Sequence, residues 1–299
     1  MRAAVLLNTT AKAMKDEPEA QAERVAEAFR AAAISADVRM VPCDQIPEAT
    51  RAAAATDVDV VVLGGGDGTI SSGAEVLVGG DKRLGVLPLG TLNHFARDLG
   101  IPIELDGAVR AIAEGAVRQV DVGDANGRVF LNNSSLGLYP EMLRGREQLR
   151  QCRGHGRVLA MIKAGVEVFR RMPVMAVTLR AMGGATRFVT PFVFVGNNRY
   201  EMSLFERGVR PALDKGELSV YVARNTGRFG ILRLGLSALL GRLDQARDFD
   251  ATCVPELDLE ARRTAIYLAV DGEIVPMSLP IRFRVRERAL RVLAPAATA

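Results

Sequence analysis

Two short segments hold the residues best suited to chemistry. The first reads Gly64-Gly65-Gly66-Asp67-Gly68-Thr69 and directly follows the apolar run at 58–63. Residues 71–78 behind it suit a helix. Strand, glycine loop and helix in that order let backbone N–H groups cradle a phosphate. Glycines allow close approach of the main chain and positive φ, and the hydroxyls of Thr69, Ser71 and Ser72 can add donors. A lone glycine pair would read as a tight turn. Three glycines followed by Asp-Gly-Thr point instead to nucleotide phosphate. The loop is neither a P-loop nor a dinucleotide fingerprint, since it lacks a Gly-Lys-Ser/Thr ending and the G-x-G-x-x-G spacing. The second segment is Asp271-Gly272-Glu273, two carboxylates around a glycine after the apolar run 266–270. Asp-Gly is a common hairpin dipeptide, and taken alone the residues favour a turn. The same pair could accept the proton of an attacking hydroxyl.

A polar block at 87–102 lies between them, reading Leu-Pro-Leu-Gly-Thr-Leu-Asn-His-Phe-Ala-Arg-Asp-Leu-Gly-Ile-Pro. Thr91 and Asn93 carry short side chains able to bond phosphate or ribose, or to cap a helix beginning near Asn93. His94 reads as a packing or helix-surface residue and Asp98, on residue type, as a solvated helix residue.

These segments need a framework to position them. Over residues 1–123 strands alternate with helical stretches. Apolar runs at 3–7, 38–41, 58–63 and 84–87 read as strands. Pro18 opens a helix with Ala22, Val25, Ala26, Phe29 and Ala33 at helical spacing. Such alternation implies parallel pairing with crossovers. Residues 124–285 are richer in strands, at 130–131, 174–179, 188–189, 192–195, 218–222 and 266–270. Runs at 281–285 and 290–293 suggest a closing hairpin-like pair. Two helical stretches interrupt this region. One has Val158, Leu159, Ile162, Val166 and Phe169 on one stripe; the other, 229–243, carries Leu232, Leu236, Leu239 and Leu240 with Arg228, Arg233 and Arg242. The second stripe fits an interfacial helix or a core helix. The expectation is an α/β domain at 1–123, rejoined by 286–299, and a mainly antiparallel β-sandwich domain at 124–285.

Composition narrows the function. Of 299 residues, 48% are hydrophobic and 25% charged, the ordinary mix of a globular chain. No uncharged apolar run reaches the length of a spanning helix, about 18 residues. The opening residues read as a first strand rather than a signal peptide, so a cytoplasmic location is expected. Cys43, Cys152 and Cys253 are scattered, and His94 and His155 are the two histidines, so neither a disulfide framework nor a histidine metal site is expected. The net charge of +4 tolerates anionic partners without requiring nucleic acid.

The motifs taken together resemble the family of diacylglycerol kinases and sphingosine kinases. Gly65-Gly66-Asp67-Gly68-Thr69 is shared with NAD kinases as well, but Gly90-Thr91-Leu92-Asn93-His94-Phe95-Ala96 is similar to a block found in the lipid kinases. The likeness continues through Val120-Asp121-Val122-Gly123, Gly196-Asn197-Asn198 and Val270-Asp271-Gly272-Glu273, in order along nearly the whole chain. It implies an ATP-dependent, Mg2+-requiring kinase acting on a lipid hydroxyl such as that of diacylglycerol. ATP would bind at residues 64–69 with Asn8, Thr91 and Asn93; Glu273 would accept the proton, with Asp271 as partner or alternative base; Asp98 would join an acidic network around Mg2+.

One segment departs from the family pattern. Around Asp214-Lys215-Gly216-Glu217, Lys215 replaces the acid that usually helps hold a structural Mg2+. An ammonium cannot ligate a cation, so Asp214 and Glu217 are left as metal candidates at a weakened site. The glycine pair usual after Asn-Asn is replaced by Arg199-Tyr200. The implied partner is a lipid at a membrane surface, met peripherally on the inner face, with no nucleic acid and with a homodimer left open. The competing readings are an NAD kinase-like enzyme and a catalytically silent nucleotide- or lipid-binding module.

Overall fold

The structure is a computed structural model that describes residues 1–14, 17–137, 174–200, 210–223 and 249–296. The helical stretches expected at 158–169 and 229–243 lie outside the described residues. The chain forms two compact units. Unit 1 comprises Met1–Val122, Pro211–Gly216 and Arg286–Ala299, and unit 2 comprises Gly123–Arg210 and Glu217–Val285.

Unit 1 is built on a parallel sheet. β1 (Arg2–Asn8) pairs with β2 (Ser35–Val41) on one side and β3 (Val60–Gly65) on the other, and β3 pairs with β4 (Arg83–Pro88). All six residues of β3 are buried, as a β-branched strand covered on both faces should be. The crossovers are α1 (Pro18–Ala31), α2 (Ile46–Ala54) and α3 (Asp67–Leu77). α1 starts with its proline at the first turn, where the missing N–H costs nothing, and buries Val25 and Phe29. α4 (His94–Asp98) and α5 (Leu105–Glu114) follow β4.

Unit 2 holds a six-stranded antiparallel sheet. Its order is β12 (Phe249–Val254), β11 (Leu218–Ala223), β10 (Phe192–Asn197), β7 (Asn133–Gly137), β14 (Ala265–Val270) and β15 (Glu273–Ser278). A second antiparallel layer contains β13 (Glu256–Ala261), β8 (Met175–Ala181) and β9 (Gly184–Thr190). One core joins the layers, with Leu136, Val193, Val195 and Leu268 from the first meeting Val177, Leu259, Ile281 and Phe283. The α/β unit and the antiparallel sandwich are the fold class expected from sequence.

Two expectations are corrected. Residues 281–285 and 290–293 are not a hairpin but halves of one strand, β16 (Ile281–Ala294). The residues between them include neither glycine nor proline, and the local break is absorbed by Arg288 at φ 49°. The first half pairs antiparallel with β13, and Val292 in the second pairs parallel with Leu84 of β4. The helix expected over 71–78 begins four residues earlier, at Asp67, so the Asp67-Gly68-Thr69 half of the glycine motif lies in its first turn.

β5 (Ala116–Ala125) ends unit 1 and enters unit 2, where it pairs with β6 (Arg128–Phe130). Its Asp121 is 1% exposed and ties unit 1 together. The Asp121 N–H donates to the Leu213 carbonyl at 2.7 Å. Its carboxylate accepts the N–H groups of Gly216 at 2.7 Å and Arg288 at 2.8 Å. Two other stretches of chain, 211–216 and 286–299, thus converge on one buried carboxylate.

Candidate active site

The phosphate loop is built almost wholly from backbone. β3 ends at Gly65 and α3 starts at Asp67, so a single residue, Gly66, links strand to helix. Gly66 offers no side-chain cap. The first N–H groups of a helix have no acceptor within it, and with the helix dipole they favour an anion. The packing explains the glycines. A Cβ at Gly65 would lie 2.5 Å from Thr69 Oγ1, and one at Gly90 would run into the Cα of Gly66. The loop after β4 therefore lies directly against the loop after β3. A Cβ at Gly68 would meet no atom within 4 Å, so main chain there borders open space.

The side chains named with the loop mostly hold it in shape. Buried Asn8 donates through Nδ2 to Thr69 Oγ1 at 2.6 Å and accepts on Oδ1 from the N–H and hydroxyl of Thr10, both at 2.9 Å. Asn93 is left-handed, φ 53°, and does not cap α4 with its side chain. Its Oδ1 accepts from Gly90 N–H at 3.0 Å, while Nδ2 donates to the carbonyls of Pro88 at 3.2 Å and Gly90 at 3.1 Å. The capping role considered for Asn93 gives way to pinning the 88–90 turn. Asp67, half-buried, accepts Phe95 N–H at 3.2 Å and so joins the two loops. Thr91 is exposed and Asp98 half-buried.

The carboxylate pair in unit 2 has two different environments. Asp271 at φ 45° and Gly272 at φ 88° form the two-residue turn between β14 and β15, the left-handed pair of a type I′ hairpin. Asp271 aims its carboxylate at the link between β6 and β7. It accepts Leu131 N–H at 2.7 Å, Asn132 N–H at 2.9 Å and Asn133 N–H at 3.0 Å. The carbonyl side of that link is held too. Arg210, 2% exposed, donates to Leu131 O at 2.6 Å, to Asn197 O at 3.1 Å and to Asn132 Oδ1 at 2.9 Å. Asn197 adds a bond to Leu131 O at 2.9 Å. Glu273 instead begins β15 opposite Val270, with its side chain 52% exposed and 2.9 Å from Arg128 Nη2. The segment is therefore a turn, and its two carboxylates face different partners.

Asp214 is exposed and Glu217 half-buried. Glu217 lies against Cys253, whose thiol is pushed up first by burial and then by that carboxylate. Among the described residues no group of three or more His, Cys, Asp and Glu side chains could hold a metal. Sequence reasoning missed Arg210, Asn132 and Arg128. No spacing rule marks Asn132, the first of the polar run Asn132-Asn133-Ser134-Ser135, or Arg210, whereas Asn197 lies within the Gly196-Asn197-Asn198 motif.

Comparison with known proteins bears on the family and the fold. The diacylglycerol kinase catalytic domain profile matches residues 2–125. A probable lipid kinase YegS-like of Pseudomonas aeruginosa is 31% identical over 260 residues, 84% of this chain and 80% of that protein. An uncharacterized protein of Synechocystis sp. is 26% identical over 240 residues, 79% of this chain, and the chain spans about half of that relative, 54%. The crystal structure of a diacylglycerol kinase from Bacillus anthracis superposes with a TM-score of 0.70 at 18% identity, covering 100% of this chain and 98% of that one, a likeness of fold. By these relatives the chain belongs to the diacylglycerol kinase and YegS-like family of lipid kinases.

Proposed function

We propose that the protein transfers the γ-phosphoryl group of ATP to the hydroxyl of a lipid of the diacylglycerol class, with Mg2+ accompanying the nucleotide. The observation that carries this reading is the start of α3: uncapped by any side chain, entered through glycines, and open at Gly68. Phosphoryl transfer asks a protein mainly for positioning and charge stabilisation, and this loop supplies N–H donors without a side chain in the way. Mg2+ would neutralise the phosphate charge.

Of the two carboxylates, Glu273 suits the proton acceptor. Asp271 already accepts three N–H groups, so its carboxylate oxygens are committed to the backbone of residues 131–133. Asp271 then sets the hairpin, and Glu273 presents an exposed carboxylate at a fixed position on β15.

The test is transfer of label from γ-labelled ATP into an extract of mixed lipids. Labelled lipid that disappears with excess chelator is expected. Label in NAD rather than lipid would favour the NAD kinase-like reading, and binding of ATP without any transfer would favour a silent module.

A further inference from the structure

The open end of the sandwich in unit 2 holds a second feature that the phosphoryl-transfer residues do not use. A cavity of about 390 Å3 opens between the two layers. Leu136, Ile266 and Pro276 from the six-stranded sheet and Met175, Ala176 and Ala261 from the other layer form its walls. Its mouth carries Arg262 and Arg263, on the crossover where the chain leaves β13 for β14. Tyr267, 46% exposed, and Val174, 40% exposed, stand beside them.

Among the described residues the charges at this mouth do not balance. Both arginines are exposed and have no hydrogen-bond or ion-pair partner among the described residues. The acids on the adjoining strand are already neutralised, Glu260 by Arg180 at 2.8 Å and Asp258 by Arg282 at 3.0 Å. An apolar opening with an exposed tyrosine and two unpaired guanidinium groups has the chemistry of a bilayer interface: aromatic and aliphatic groups enter the headgroup region, and arginines pair with lipid phosphates.

We propose that this mouth docks the protein on an anionic phospholipid surface, with Arg262 and Arg263 on the headgroup phosphates and Tyr267 and Val174 entering between lipids. The site is separate from the carboxylates. Ile266 and Asp271 are five residues apart along β14, about 16 Å at strand spacing, so the docking mouth and the Asp-Gly-Glu turn occupy opposite ends of one strand. The inference rests on the lipid-kinase reading only for its purpose, since docking would hold the enzyme where its acceptor resides.

Vesicle co-sedimentation of the full chain without ATP tests it. Phosphatidylcholine vesicles are compared with vesicles that also contain phosphatidylglycerol. The wild type is expected to bind the anionic vesicles markedly better. Arg262→Gln with Arg263→Gln should weaken that binding about thirtyfold, each arginine near such a surface being worth about fivefold, and should leave the neutral vesicles unaffected. Tyr267→Ser should weaken both. Phosphorylation of a short-chain, water-dispersed diacylglycerol should be unchanged in every variant, a readout that also confirms folding. Equal wild-type binding to the two vesicle types, or full binding by the double variant, would overturn the docking site. Failure of phosphorylation in the wild type would instead count against the kinase reading.

Discussion

The glycine loop of unit 1 and the carboxylate hairpin of unit 2 spend their polar side chains differently. In the loop the groups proposed to meet phosphate are main-chain N–H donors, and the side chains of Asn8, Asn93 and Asp67 are consumed in fixing the backbone that presents them. In the hairpin the group proposed to act is a side chain, Glu273, and another side chain, Asp271, fixes the backbone that presents it. The lesson concerns polar residues in a recognised motif. Asp67, Asn93 and Asp271 each spend bonds on nearby N–H groups, and their chemical effect passes through the chain they hold. Glu273 differs because it and its partner, Arg128, are both partly exposed.

This contrast can be broken at its backbone half first. Gly90→Ala places a Cβ against Gly66 and 2.7 Å from Asn93 Oδ1. The two loops must then move apart. A shift of an ångström at a reacting group costs about a hundredfold, so kcat/KM for ATP should fall by about that factor, with a loss of stability of about 1–3 kcal/mol from the backbone clash. An unchanged kcat/KM would mean that the close approach of the loops does not position phosphate.

A middle-sized effect is expected at the organiser of the other half. Asp271→Asn leaves one oxygen to serve three N–H groups and turns an amide N–H2 toward donors. The loss should be about 1–3 kcal/mol of stability, read by denaturant unfolding as a lower midpoint. Loss of turnover at full stability would instead make Asp271 a direct participant in the chemistry.

The smallest effect belongs to Arg128. Its pair with Glu273 is partly exposed, 37% and 52%, and such pairs contribute about 1 kcal/mol or less. Arg128→Gln should therefore leave the unfolding midpoint almost unchanged. A large destabilisation would show that Glu273 is as firmly bound into the fold as Asp271, and the distinction between organiser and actor would fail.

Much of unit 1 was readable because its signals are local. The runs that become β1, β3 and β4 are apolar and end in turn residues, and the glycines sit where strand meets helix. Unit 2 was less legible. β7 reads Asn-Ser-Ser-Leu-Gly, poor in strand formers, yet it lies in the middle of the six-stranded sheet between β10 and β14. Its partners rather than its own propensity make it a strand. β16 was divided in reading because its middle is charged, although pairing on different neighbours carries the strand through. The Asp-Gly-Glu segment was correctly placed at a turn, but nothing in three letters reveals that one carboxylate grips residues 131–133 and the other does not. That assignment depends on residues about 140 positions away in the chain.

The division between organiser and actor is tested most directly by phosphoryl transfer in Glu273→Gln under single-turnover conditions, with γ-labelled ATP and dispersed diacylglycerol and with ATP affinity measured in parallel. The amide keeps size and polarity and removes the charge that accepts the proton. Transfer slowed about a hundredfold or more, with ATP affinity and the unfolding midpoint unchanged, is the predicted result. Near-wild-type transfer in this variant would contradict the account and leave Asp-Gly-Glu as a turn alone.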